Sequence, residues 1–101
     1  MKVLLKNSYG PRSLNKNFCK EFNIEYTNSV SDNCCIPTKW TEELEELCIN
    51  QVESRGSDYV AGSYCHFTIV DIPKGRKYRI LDYDGYEYIE YADEIIWKIA
   101  K

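Results

Sequence analysis

A short loop with two cations near the amino terminus is the first place where residue types and spacing could do chemistry. In the run NSYGPRSLNK, residues 7–16, Gly10 and Pro11 mark a loop and Ser13 stands where a helix could begin. N–H groups left unbonded at a helix start attract anions, and a guanidinium beside them grips phosphate through paired donors. Tyr9, Gly10, Arg12, Ser13 and Lys16 are therefore the candidate ligand site, for a nucleotide or another phosphate-bearing molecule. The same residues also fit a capped loop with solvated cations. Neither the G-x-x-x-x-G-K-[ST] nor the G-x-G-x-x-G pattern is present to decide between the two.

The other reactive types are scattered. His66 is the single histidine, and its neighbour Cys65 points to the opposite face if both lie on a strand, so the two cannot act as a nucleophile and base. Cys34 and Cys35 are adjacent, without the paired C-x-x-C or C/H spacing that zinc uses. Asp82, Asp84 and Glu87 crowd one turn, but not at the ligand spacing of a calcium loop. No nucleophile, base and orienting group can be assembled, so no enzyme activity, cofactor or metal is expected.

The elements that must position these residues can be read in order. Lys2–Lys6 (KVLLK) is a short strand. Ser13 caps a helix over 14–22 with Leu14, Phe18 and Cys19 on its apolar stripe. Residues 27–37 are polar, turn-rich and closed by Pro37, and read as a loop. Thr38 or Thr41 then caps the strongest helix, running to about Ser54. Trp40, Leu44, Leu47, Cys48, Gln51 and Val52 share its apolar face, and glutamates in the first turns favour the helix dipole. Gly56 suits the position past its end. From Tyr64 the period becomes two, with strands over 64–72, 76–83, 86–91 and 95–100. This order predicts an α+β fold: a short N-terminal strand, two helices, then a four-stranded antiparallel meander, in one domain over 1–101.

Asp84-Gly85 is the clearest turn signal. A two-residue loop pairs Tyr83 with Tyr86, Leu81 with Tyr88 and Arg79 with Glu90 on one face. It pairs Ile80 with Ile89 and Tyr78 with Tyr91 on the other, and sets Asp82 against Glu87, a like-charge contact. The aliphatic centre of the second face makes it the core candidate. The face carrying Arg79, Leu81, Tyr83, Tyr86 and Tyr88 is the candidate interaction surface, for a protein partner or for a homodimer.

Composition narrows the classes. The chain has 101 residues, a net charge of −3 and nine tyrosines, a residue that suits half-wet interfaces. A chain acidic overall is not a general nucleic-acid binder. Charge alternates along it: basic in 1–20, acidic in 21–53, basic at Lys74, Arg76, Lys77 and Arg79, then acidic. The basic cluster could grip an acidic partner or guard a strand edge. No signal segment or membrane span is visible. The five cysteines, odd in number and including a vicinal pair, fit reduced thiols in a cytoplasm.

Two stretches, NSYGPRSLNKNF and IPKGRKYRILDYDGYEYIE, together resemble small uncharacterised proteins of bacteriophages and related mobile elements. The tail pattern Ile72-Pro73, Gly75, Tyr78, Ile80, Asp82-Tyr83-Asp84-Gly85 and Glu87 carries most of the likeness. The match covers about a third of the chain. That family supplies no catalytic residues. It implies a viral accessory protein working in the host cytoplasm, a class rich in inhibitors of host proteins. The leading expectation is thus a non-catalytic, phage-encoded binding protein acting on a host protein, as inhibitor or counter-defence accessory. The alternatives are a small-ligand binder that sequesters a nucleotide, and a small enzyme or structural virion component.

Overall fold

The computed structural model describes residues 1–29 and 33–92. Its elements are β1 (Lys2–Lys6), α1 (Lys16–Glu21), β2 (Tyr26–Ser29), β3 (Cys35–Pro37), α2 (Glu42–Arg55), α3 (Ser57–Val60), β4 (Phe67–Asp71), β5 (Tyr78–Tyr83) and β6 (Tyr86–Tyr91). The α+β class holds, but the meander does not. Among the described residues the strands form three two-stranded antiparallel sheets, β1–β4, β2–β3 and β5–β6. The strand expected over 95–100 lies outside the described residues.

β4 turns away from its sequence neighbour β5 because β1 needs a partner. Val3, Leu4, Leu5 and Lys6 are all buried, so β1 must be covered on both faces. β4 matches it by face: Leu4 meets Ile69 and Lys6 meets Phe67 on the side of the main core, while Val3 meets Val70 and Leu5 meets Thr68 on the other. Met1 and Ile72 extend the ladder by exchanging backbone bonds of 2.7 and 2.9 Å.

Leu14 is extended, not helical. Its N–H and C=O bond Cys35, and it also bridges Ala61, so one fully buried residue ties three segments. This draws Cys35 into a strand where a loop was expected, and moves the helix start from Ser13 to Asn15. The Asn15 Oδ1 accepts from the Asn17 N–H at 2.9 Å and caps α1. α2 forms as its pattern predicts. Thr41 Oγ1 accepts from the Leu44 N–H at 3.1 Å, and Leu44 and Cys48 face the core with Phe18, Val60 and Phe67.

The β5–β6 hairpin has all six expected pairs, Tyr78↔Tyr91 through Tyr83↔Tyr86. Asp84 and Gly85 have φ of 51° and 92°, the two positive values a type I′ turn requires. This turn touches the loop after β1, where the Gly10 N–H donates to the Asp84 carbonyl at 2.8 Å. A Cβ on Gly85 would lie 2.1 Å from the Gly10 oxygen and 2.6 Å from Lys6 Nζ. Gly85→Ala should therefore cost about 2–4 kcal/mol, from left-handed strain plus overlap. Gly75→Ala has a similar φ of 83° but open space, and should cost only about 1–2 kcal/mol. Urea unfolding of the two variants measures the difference, and equal losses would show that the tip does not pack as described.

Candidate functional site

The loop from Asn7 to Ser13 is where sequence and structure part most. Arg12 is the centre of a network that joins four segments. Its Nε and Nη2 donate to Glu87 Oε1 on β6 at 3.2 and 2.8 Å. Nη2 also donates to the Leu4 carbonyl on β1 at 3.1 Å, and Nη1 to Glu45 Oε1 on α2 at 3.4 Å. The guanidinium carbon lies 4.7 Å from the centre of the Trp40 ring. The side chains of Arg12 and Glu87 are only 18% and 15% exposed.

Glu87 Oε1 accepts a further bond, from the Lys6 backbone N–H at 2.7 Å. Lys6 is 2% exposed, and its ammonium turns to the carbonyls of Ser8, at 2.9 Å, and Gly10. Burying an ammonium is tolerable only with such partners. Asn7 Nδ2 reaches the Glu87 carbonyl at 3.4 Å, and the rings of Tyr9 and Tyr86 meet at 5.6 Å between centroids. The first loop is thus a socket for the hairpin tip.

The other residues of the candidate ligand site do not converge on one point. Ser13 is buried, and its carbonyl accepts from the Gly62 N–H at 3.0 Å. Lys16 is exposed, and its backbone N–H donates to Asn33 Oδ1 at 3.0 Å. Two N–H groups at the start of α1 are therefore satisfied by asparagine side chains. Tyr9 is exposed instead on a slot of about 150 Å³ with Pro11, Cys34, Ser63 and Tyr64. Glu87, read as part of an acidic turn, points inward to Arg12, and Asp82 Oδ1 accepts from the Gly85 N–H at 2.7 Å. Among the described residues no group of three or more His, Cys, Asp or Glu is placed to hold a metal ion. His66 is exposed, its N–H bonded to Ser8 Oγ at 3.2 Å.

On the hairpin the candidate interaction surface is open. Tyr83 and Tyr88 are 68% and 46% exposed, Tyr86 is also exposed, and Leu81 lies between them. Arg79 closes one end by donating to Glu90 at 2.6 and 3.0 Å. The aliphatic face is less covered than its composition predicts, because Ile80 remains exposed while Ile89, Tyr78 and Tyr91 are half-buried. Arg76 stacks on Tyr91 at 3.6 Å.

All five cysteines are free. Burial pushes the Cys19 thiol from 9.0 up to about 12, with the adjacent Cys35 thiol adding to it. Burial does the same to Cys48, up to about 12, against an opposing pull from the Arg12 guanidinium. Such thiols are packing groups, not nucleophiles. No helix among the described residues is long and apolar enough to cross a membrane. Comparison with protein-family models, curated proteins and solved structures finds no match to this chain.

Two measurements follow from this geometry. Glu87→Ala leaves the half-buried Arg12 guanidinium and the Lys6 N–H without their main acceptor, so it should cost roughly 2–4 kcal/mol. Removing the half-buried Glu90, whose partner Arg79 is exposed, should cost under about 1 kcal/mol. Urea unfolding compares them, and an equally mild Glu87→Ala would remove Glu87 from its central place. The raised thiols fix a second outcome. The unfolded chain releases their protons above about 9 and the folded chain holds them to about 12. The folded state thus binds more protons in that window, and stability should fall as pH rises through it. Cys19→Ala, Cys48→Ala protein should show a shallower alkaline loss in a pH series of unfolding curves; an unchanged slope counts against buried thiols.

Proposed function

We propose that this is a non-catalytic binding protein, encoded by a bacteriophage or related mobile element, that acts on a host protein as an inhibitor or counter-defence accessory. The observation that carries the binding part is the open tyrosine face of the hairpin. Tyr83, Tyr86 and Tyr88 project from one side of paired strands, with Leu81 among them and the Arg79–Glu90 pair at the rim. Tyrosine offers large contact area with few rotatable bonds, and such residues dominate protein interfaces. The face is also held in place, because Glu87 and the Asp84 carbonyl on the same hairpin accept bonds from the loop after β1. A surface ordered before binding loses less entropy on contact. The phage origin rests on the resemblance of the two terminal stretches. The partner is a protein and not a nucleotide in this reading because Arg12 is already bonded to Glu87 and Glu45.

The test is a comparison of wild type with Tyr83→Ala, Tyr88→Ala protein, both immobilised against bacterial lysate. The exposed rings should be removable with little change in unfolding midpoint. A bacterial protein held by wild type should bind the variant more weakly by at least about fivefold per tyrosine. Equal retention by both proteins would rule out the tyrosine face as the binding surface. Heat on titration with a nucleotide, abolished by Arg12→Ala, would favour the ligand reading instead.

A further inference from the structure

The hairpin has two long edges, and among the described residues only one is turned to the rest of the chain. β6 is the strand that lies against β1. Its Glu87 and Tyr86 make the contacts to Arg12, Lys6 and Tyr9. β5 is the outer strand, and among the described residues it pairs with β6 alone.

The turn determines which backbone groups of β5 are left over. In a two-residue loop the flanking pair, here Tyr83 and Tyr86, exchanges both N–H···O bonds, and bonded pairs alternate from there. Leu81, Arg79 and Lys77 therefore bond toward β6. The Ala92 N–H donating to the Lys77 carbonyl at 3.1 Å agrees with this phase. Tyr78, Ile80 and Asp82 direct their N–H and C=O groups outward, and Ile80 is 41% exposed. Such an edge is a template for another strand.

Charge along β5 selects the occupant. The strand is entered through exposed Lys74, Lys77 and Arg79 and left through exposed Asp82 and Asp84. A second copy running antiparallel brings each basic end alongside the other's acidic tip, with Lys77 beside the partner's Asp84, whereas a parallel copy would align like charges. Two-fold symmetry makes both contacts from one surface. We propose that β5 pairs antiparallel with β5 of a second copy, about a two-fold axis at Leu81. Facing residues must share a face of the pleat. Leu81 then meets the partner's Leu81, Arg79 meets the partner's Tyr83, and Ile80 exchanges backbone bonds with the partner's Asp82. The pairing makes a four-stranded sheet from two hairpins that are each marginal as two-stranded units. It also joins the two tyrosine faces on one side. The interface is the strand edge, while host binding uses the face, so either can fail without the other.

Sedimentation at rising protein concentration, with amide hydrogen exchange of wild type at the same concentrations, tests this directly. The expected result is self-association that weakens at high salt, where surface charges are screened. The Ile80 and Asp82 amides should slow as the dimer forms, while those of Arg79 and Leu81, already bonded to β6, should change little. Lys74→Glu, Lys77→Glu protein should keep its hairpin and raise the dimer dissociation constant about tenfold. Wild type that stays monomeric at millimolar concentration overturns the proposal. So does a dimer whose Ile80 and Asp82 amides exchange as fast as in the monomer.

Discussion

One carboxylate oxygen joins the two parts of this molecule. Glu87 Oε1 accepts from Arg12 twice and from the Lys6 backbone once, so β1, the loop after it and the hairpin meet at a single atom. The charges nearly balance within the cluster: Arg12 and Lys6 against Glu87 and Glu45, with the Lys6 ammonium satisfied by carbonyls. Glu45, more exposed than Glu87, makes the longer contact to Arg12, at 3.4 Å. A half-buried guanidinium that loses its carboxylate is a larger penalty than most single surface contacts. The position of the hairpin therefore depends on this ion pair.

That dependence explains why the tip is built from small or turn-forming residues. Gly85 comes so close to Gly10 and Lys6 that no side chain fits, and the positive φ of Asp84 and Gly85 brings the Asp84 carbonyl to the Gly10 N–H. Tyr86 rests on Tyr9 beside it. The face that docks through Glu87 and the face that displays Tyr83 and Tyr88 are opposite sides of one pleated ribbon. Fixing one side orients the other, because successive side chains on a strand alternate.

What was legible in the sequence is what local rules decide. The six hairpin pairs follow from Asp84-Gly85 and period-two alternation, and α2 follows from Thr41, its glutamates and the Leu44–Cys48 stripe. What was not legible depends on partners far along the chain. Sequence order alone pairs β4 with its neighbour β5, but the both-sided burial of Leu4 and Leu5 brings it to β1. The apolar spacing of Leu14 suits a helix, and a backbone bridge to Cys35 and Ala61 overrides that preference. Arg12 and Glu87 are 75 residues apart. One signal for that contact was present. Glu87 facing Asp82 across the hairpin is a repulsion that asks for a cation, and the basic loop at the other end of the chain supplies it.

The same contact sets the two functional readings against each other. Arg12 has its Nε and Nη2 on Glu87, its Nη1 on Glu45 and its face on Trp40. A phosphate arriving at this guanidinium would have to displace the Glu87 carboxylate, which would then lie beside an anion with only the Lys6 N–H left to it. Like charges that close in a poorly solvated place repel strongly, so the ligand would have to offset that cost as well as its own desolvation. It would also undock the hairpin. An anion site and a fixed tyrosine face are thus alternatives built on one arginine, and in the observed arrangement Arg12 serves the face.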